Sequence, residues 1–142
     1  MERTRIKWFA AGLAAYAVAT LAIAQTPDWV PLGLVNDRSY VMNRASLAPT
    51  DNGFTFAVFS DKAEGAAPDA LADGRKYLSS FLAVEVNCTA SLFRIARVRF
   101  FSGRRAQGEV VAEDGTPPGE GWAPASPQSL GGTFVAAACP SK

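Results

Sequence analysis

The sequence predicts an α+β domain in which several β-strands are followed by one C-terminal helix. Over residues 29–112, short apolar runs alternate with turn-forming residues, a pattern that favours strands. Ser126 and Pro127 then open an apolar stretch with the residue types of a helix N-cap and first helical position. Cys88 lies in the strand region and Cys139 just after the predicted helix, so a bond between them would tie the two parts together.

The individual elements follow from the spacing of apolar and turn-forming residues. The predicted strands are residues 29–35, 39–42, 54–59, 76–88, 93–101 and 109–112, and the predicted helix runs from 127 to about 138. Residues 43–48 are expected to form a turn or a helical corner, and residues 61–75 a mobile loop. The strand at 54–59 is apolar on both faces, which predicts a central or doubly covered position.

The first 24 residues predict a cleavable export signal. Three basic residues within the first seven precede an apolar run over residues 8–24. The run ends in a small-residue cleavage pattern at Ala24, so Gln25 is the expected first mature residue and 25–142 the mature domain. The alternative is an uncleaved anchor, since the run is close to the minimum length that spans a bilayer. We expect cleavage because alanine dominates the run and no stop-transfer segment follows.

The mature domain is expected to be almost uncharged overall. The full chain has 14 basic and 13 acidic residues, and the signal contains three of the first and one of the second, which leaves 11 and 12. A net charge of −1 predicts no general attraction to nucleic acid or to an acidic membrane. The expected location is the periplasm or the cell surface, without stable membrane insertion after cleavage.

The two cysteines favour a disulfide, because an even pair in a small exported domain is most simply one bond. A metal site or a pair of free thiols is the alternative, but there is no Cys-x-x-Cys motif. The chain contains no histidine, which excludes Ser-His-Asp and Cys-His catalysis. We therefore expect no catalytic residue, no metal and no cofactor. A small hydrolase using Glu109, Glu113 and Asp114 remains an alternative.

An ordered set of residues along the mature chain gives further information about its family. They are Trp29, Tyr40 with Asn43 and Ser46-Leu47, the 54–59 strand, Tyr77-Leu78-Ser79, Glu85-Val86-Asn87-Cys88, Arg94, Ser102-Gly103 with Gly108, Trp122, Pro124, Ser129 and Cys139. In this order the sequence resembles the surface-adhesin protein E family of exported bacterial domains. The resemblance implies an antiparallel sheet of about six strands with a C-terminal helix packed on one face and joined to it by the disulfide. It also implies a non-enzymatic binding domain of unknown ligand.

Five arginines between residues 94 and 105 suggest a binding surface. In a regular strand Arg97 and Arg99 share one face and Arg94 lies on the other. The predicted patch consists of Arg97, Arg99, Arg104 and Arg105, and would bind a protein or an anionic ligand. The alternative is a solvated sheet face without a ligand. Glu85 could pair with one of these arginines across the sheet.

Two further surfaces are possible from the sequence. An exposed aromatic platform could include Trp29, Tyr40, Trp122 and the Phe100-Phe101 pair, although packing in the core is the alternative use of these side chains. A sheet edge could also support self-association, giving a homodimer or a ligand-free envelope scaffold.

Overall fold

A computed structural model describes residues 26–141 of the chain. The predicted signal and its cleavage point between Ala24 and Gln25 lie outside the described residues. The elements are β1 Trp29–Val35, β2 Arg38–Pro49, β3 Gly53–Lys62, β4 Asp69–Ala70, β5 Lys76–Tyr77, β6 Ser79–Asn87, β7 Leu92–Phe101, β8 Val110–Gly115, β9 Ala123–Pro124 and α1 Leu130–Ala138.

The main sheet is antiparallel and has the strand order β1-β2-β3-β6-β7-β8. These six strands curl into a half-barrel, and the short strand β9 pairs with β7. Strands β4 and β5 form a separate two-stranded hairpin in the connection between β3 and β6. The expected antiparallel sheet with one C-terminal helix is therefore confirmed, and β3 lies centrally in it.

The first hairpin turns at Asn36 and Asp37, as the sequence predicts. Both residues have positive φ, 51° and 60°, and Asn and Asp tolerate this region better than most residues. The expected turn at 43–48 is wrong, because β2 continues through it with an irregular register. The Ser46 hydroxyl fills the gap by donating to the Asn43 carbonyl (2.6 Å) and accepting from the Ala57 amide (2.8 Å).

The loop expected at 61–75 is more ordered than its composition indicates. Strand β3 extends to Lys62, and the β4–β5 hairpin occupies the second half of the segment. Asp69 in β4 accepts from Arg38 at 2.6 Å and from Lys62 at 2.9 Å. These two ion pairs attach the hairpin to the end of the sheet. The expectation of a mobile loop over residues 61–75 is therefore wrong for the second half of the segment.

The core lies between α1 and one side of the sheet, which we call the inner face; the opposite side is the outer face. A row of apolar side chains crosses the inner face from β2 to β7: Met42, Val58, Leu82 and Val98. Phe134 of α1 is completely buried and meets the rings of Tyr40, Phe56 and Phe93 edge to face at 6.0–6.5 Å. Burial of one such side chain stabilises the fold by about 1.5–3 kcal/mol.

The helix begins later than predicted, at Leu130 instead of residue 127. Ser129, and not Ser126, is the N-cap, and its hydroxyl accepts from the Gly132 amide at 3.1 Å. Gly131 and Gly132 lie inside the helix, where glycine normally lowers stability. Close contacts require both of them here. A Cβ at Gly131 would lie 2.3 Å from the Phe93 ring, and one at Gly132 would lie 2.0 Å from the Ser126 carbonyl oxygen.

The disulfide joins Cys88, directly after β6, to Cys139, directly after α1. Their Cα atoms are 5.7 Å apart, and 51 residues separate them in sequence. A loop of this size corresponds to about 4 kcal/mol of stabilisation in the chain-entropy description. The bond therefore holds the end of the helix on the inner face, as expected.

Strand β7 contains a bulge that changes which side chains face outward. Ala83 of β6 lies opposite Arg97, but the next residue, Val84, lies opposite Ile95, so Ala96 has no partner. A bulge of this kind exchanges the two faces of a strand, since side chains alternate with a period of two.

The bulge corrects the expected orientation of Arg94. Residues opposite each other in an antiparallel pair share a face. Glu85 lies opposite Arg94, and Ala83 lies opposite Arg97. Because Ala83 and Glu85 are on the same side of β6, Arg94 shares the outer face with Arg97 and Arg99 and does not lie opposite them.

Candidate functional site

Among residues 26–141 no helix covers the outer face, which presents a row of side chains that runs across the sheet. In strand order from β2 to β8 this row is Val41, Phe59, Phe81, Arg99 and Glu113. The apolar half of the row therefore leads directly into its charged half. The neighbouring positions Ala57 and Ala83 are small, which leaves the aromatic side chains standing above the sheet.

An open groove of about 360 Å³ lies over the apolar half of this row. We call it the aromatic groove; it is lined by Trp29, Val41, Phe59, Phe81, Arg105 and Ala106. Trp29 and Phe81 remain 44% and 40% exposed, although Trp29 meets Phe59 edge to face at 6.4 Å. An exposed aromatic cluster on a sheet face marks a contact surface more often than scattered apolar residues do.

The β7–β8 loop, residues 102–109, positions Arg105 at one end of the groove. The Ser79 hydroxyl holds the loop, donating to the Gly103 carbonyl at 2.6 Å and accepting from the Ala106 amide at 3.0 Å. Arg105 and Ala106 have positive φ of 55° and 57°, so the chain turns sharply there. The groove thus has a sheet floor and one wall formed by a tied loop.

The four arginines of the predicted patch occupy three different environments. Arg99 pairs with Glu113 on the outer face, and both side chains are about half exposed. Arg104 donates to the main-chain carbonyls of Lys62 and Ala63, the second at 3.0 Å, and so ties the loop to β3. Arg97 and Arg105 are exposed and form no ion pair within residues 26–141.

Arg94 is buried on the outer face beneath a second loop, residues 115–122. Its Nε lies 2.9 Å from a carboxylate oxygen of Glu85, which agrees with the cross-sheet pair considered from sequence. Its Nη1 donates to the carbonyls of Pro117 (2.9 Å) and Glu120 (3.0 Å), and its guanidinium lies over the Trp122 ring at 5.8 Å. Arg94 therefore holds a loop in place.

Residues 29–140, most of the chain, match the family model for surface-adhesin protein E. The chain belongs to the surface-adhesin protein E family. No curated protein and no solved structure matches the chain significantly.

Membership of the surface-adhesin protein E family is consistent with an adhesin-like exported or surface protein. Between residues 26 and 141, the structure has no helix that is long and apolar enough to cross a membrane. The disulfide agrees with a location outside the cytoplasm, where such bonds persist.

The carboxylates considered for hydrolysis do not form a metal-binding cluster in the described part of this adhesin E protein. Glu113 pairs with Arg99, and Asp114 accepts a hydrogen bond from the Gly115 amide at 2.8 Å. Glu109 is exposed at the end of the β7–β8 loop. Glu113 and Asp114 line one open cavity together with Arg97, and none of the three carboxylates lines the aromatic groove.

A second group of polar residues lies where β2 and β3 meet the β4–β5 hairpin. Besides binding Asp69, Arg38 donates through Nη1 to the Ser60 hydroxyl and the Leu78 carbonyl, both at 3.1 Å. Hydrogen bonds from Arg38 and then Lys62 lower the pKa of Asp69 below its ordinary value of 3.8. Burial raises the pKa of Tyr40, which keeps its hydroxyl protonated.

The aromatic surface differs in membership from the one considered from sequence. Trp29 is exposed, but Tyr40 meets Phe134 in the core, and Trp122 lies against Arg94. Phe59 and Phe81 were not candidates, although each lies at an outward position of its strand. The alternation of side chains along each strand could have placed both rings on the same face as their outward neighbours. The sequence does not show that β3 and β6 lie side by side, or that only one face of the sheet is covered.

Proposed function

We propose that this protein is an exported, non-enzymatic binding protein that contacts a partner protein through the outer face of its sheet. Residues 1–24 are removed on export, and the mature domain acts in the periplasm or at the cell surface. The aromatic groove is the observation that carries the proposal, because it combines exposed aromatic rings with a preformed, tied wall. Adhesins work by binding, and the family assignment supports the same class of function.

The charges around the groove favour an acidic partner segment. The carboxylates of Glu85 and Glu113 are occupied by Arg94 and Arg99. Arg97 and Arg105 are the exposed arginines of this face that form no ion pair among the described residues, whereas Asp61, the unpaired carboxylate of the same face, is half-buried. A segment that places an apolar side chain in the groove and carboxylates on either side would satisfy both arginines.

The four arginines of the predicted patch have different roles in the proposed interaction. Arg97, Arg99 and Arg105 would contact the partner. Arg104 would act indirectly by fixing the loop that carries Arg105. Arginine and aromatic side chains are the residue types that most often dominate binding energy at protein interfaces.

The test uses a short synthetic peptide as the probe, with Phe-Leu at its centre and two Asp residues on each side. Titrated into the oxidised mature domain, it should shift the NMR signals of groove residues, and Phe81→Ser should abolish the shifts. Leu34→Ser is the matched control, since Leu34 is 73% exposed on β1 but does not line the groove. Added salt should weaken binding, and less so in a variant with both Arg97→Ala and Arg105→Ala.

Three results would reject the proposal. One is peptide binding that survives Phe81→Ser. Another is binding that Leu34→Ser reduces equally. The third is a stable self-associated form at working concentration that buries Trp29 and Phe81, since the face would then serve assembly instead of partner binding.

A further inference from the structure

A second cavity lies on the inner face, away from the aromatic groove. This inner cleft, of about 190 Å³, opens between Leu130 at the start of α1 and the end of the sheet near the β4–β5 hairpin. Leu82, Val98 and Phe100 contribute apolar wall, and Ile95 completes it. A cavity of about 150 Å³ is enough to hold a benzene ring, so the inner cleft has room for one ring with a small substituent.

Four polar side chains meet in this otherwise apolar space: Arg38, Tyr40, Tyr77 and Ser80. Arg38 and Ser80 are more than nine-tenths buried. The guanidinium of Arg38 lies over the Tyr77 ring at 4.8 Å, and Tyr77 packs against Phe100 at 4.6 Å. An apolar pocket with a few convergent polar groups is the usual form of a small-ligand site.

Hydrogen bonds fix the Arg38 guanidinium in place but leave one of its N–H groups without an acceptor among residues 26–141. Its hydrogen bonds to Asp69, Ser60 and the Leu78 carbonyl use four of the five N–H groups of an arginine. The Ser80 hydroxyl is bonded to that of Ser60 at 2.5 Å, and Tyr40 and Tyr77 add two phenol hydroxyls to the lining. The cleft therefore offers one guanidinium N–H and two phenol hydroxyls as further donors.

The charges at this end of the inner face favour an anion. Arg38 and Lys62 share the single carboxylate of Asp69, so the trio carries one excess positive charge. The nearby Asp61 belongs to the opposite face, since it lies opposite Ser39 and Ser79 in the sheet. A buried charge is stabilised by an opposite charge placed next to it.

We propose that the inner cleft binds a small carboxylic acid of about one ring in size, with its ring between the apolar walls and its carboxylate near Arg38, Tyr40 and Ser80. The site is separate from the aromatic groove, because the two lie on opposite faces of the sheet. An occupant would also bridge Tyr77 of the β4–β5 hairpin and Leu130 at the start of α1, which both line the cleft.

Benzoate is the probe, followed by NMR with the oxidised mature domain. Its shifts should concentrate on Tyr77, Leu82 and Val98, and benzyl alcohol, which has the ring without the charge, should bind at least five-fold more weakly. Val98→Phe fills the cleft and should weaken benzoate at least ten-fold. Val110→Phe is the matched control, because Val110 is 50% exposed on β8, outside the cleft, and should leave binding unchanged.

If Val98→Phe does not fold, Leu130→Phe at the rim serves the same purpose with a partly exposed side chain. Shifts scattered over the surface, or unweakened benzoate binding in the filled variant, would overturn the site. Equal binding of benzyl alcohol would overturn the carboxylate assignment. Phe81→Ser on the outer face should keep benzoate binding, so failure of the partner-binding proposal and failure of this one are distinguishable.

Discussion

The two faces of the same sheet differ in how far their aromatic side chains are covered. On the inner face, Phe134 is completely buried against three aromatic rings, and the Cys88–Cys139 bond holds the helix in place. On the outer face, Phe81 remains 40% exposed and is covered by no other layer of the structure. Both faces use phenylalanine, so the residue type alone does not separate them.

The difference teaches that the stability of the fold and the proposed partner binding depend on opposite sides of the strands. Side chains alternate along each strand, so one substitution changes one face and leaves the other in place. The inner row should control the free energy of unfolding, and the outer row should control binding. This separation gives predictions that can be ordered by size.

The largest expected difference is between Phe134→Ala and Phe81→Ala. Removing the buried ring should cost about 3–5 kcal/mol, because it leaves a cavity between α1 and the sheet. Removing the part-exposed ring should cost about 1 kcal/mol, close to the average for point substitutions, because most of its packing partners are absent. Urea unfolding of the oxidised mature domain measures both. Similar losses for the two variants would contradict the division between faces.

An intermediate effect is expected at Gly131. Glycine to alanine inside a helix normally stabilises by about 1 kcal/mol. Here Gly131→Ala should destabilise by about 1–3 kcal/mol, since the new methyl group would overlap the Phe93 ring. Thermal unfolding measures the change.

Two further variants isolate the cause of that effect. In a Phe93→Leu background, Gly131→Ala should cost much less, because the smaller side chain leaves room for the methyl group. Ala137→Gly, at an exposed helix position, should lose about 1 kcal/mol from propensity alone. Stabilisation by Gly131→Ala in the native background would show that the helix is not packed this closely.

The smallest expected effect concerns the β4–β5 hairpin at the end of the inner face. The pKa of Asp69 is lowered in the folded state, so its ion pairs contribute fully above about pH 4. The contribution should be lost as the pH falls through the folded-state value. It amounts to about 1 kcal/mol, because a third of the Asp69 side chain is exposed and water screens the pairs.

Hydrogen exchange of the Leu71 and Tyr77 amides measures this loosening directly, because the Leu71 amide donates to the Arg75 carbonyl at 2.8 Å and Tyr77 lies opposite Asp69 in the hairpin. The protection factors of the hairpin amides, which correct for the slower intrinsic exchange at low pH, should fall below about pH 4, while core amides such as that of Val84 keep theirs. Asp69→Asn should show low hairpin protection factors at all pH values, since it lacks the charge. A hairpin equally protected on both sides of pH 4 would contradict the role of the ion pairs.

Much of the fold was accessible from the sequence because its signals are local. The Asn36-Asp37 turn, the apolar strands and the cysteine pair each carry their own information. The β4–β5 hairpin was missed because two-residue strands have no periodicity, and the hairpin is held by ion pairs of Asp69 with Lys62 and the distant Arg38. The helix start was misplaced because both Ser126 and Ser129 are good N-cap residues.

The candidate site was less predictable, since it depends on strand neighbours and loop placement. Arg104 counts as a surface charge in the sequence, but its carbonyl partners lie about 40 residues away in the chain. The orientation of Arg94 did have a local signal. Apolar residues fall on odd positions at Phe93 and Ile95 and on even positions at Val98 and Phe100, so the pattern changes phase at Ala96.

That unpaired alanine has a consequence for how the protein can evolve. Without the extra residue, Arg97 and Arg99 would point into the core, and Val98 and Phe100 would face the solvent. Loss of one codon at Ala96 should therefore be more harmful than most replacements along β7. While the insertion is retained, the outward arginines are free to vary between lineages, so new binding preferences can arise without rebuilding the interior.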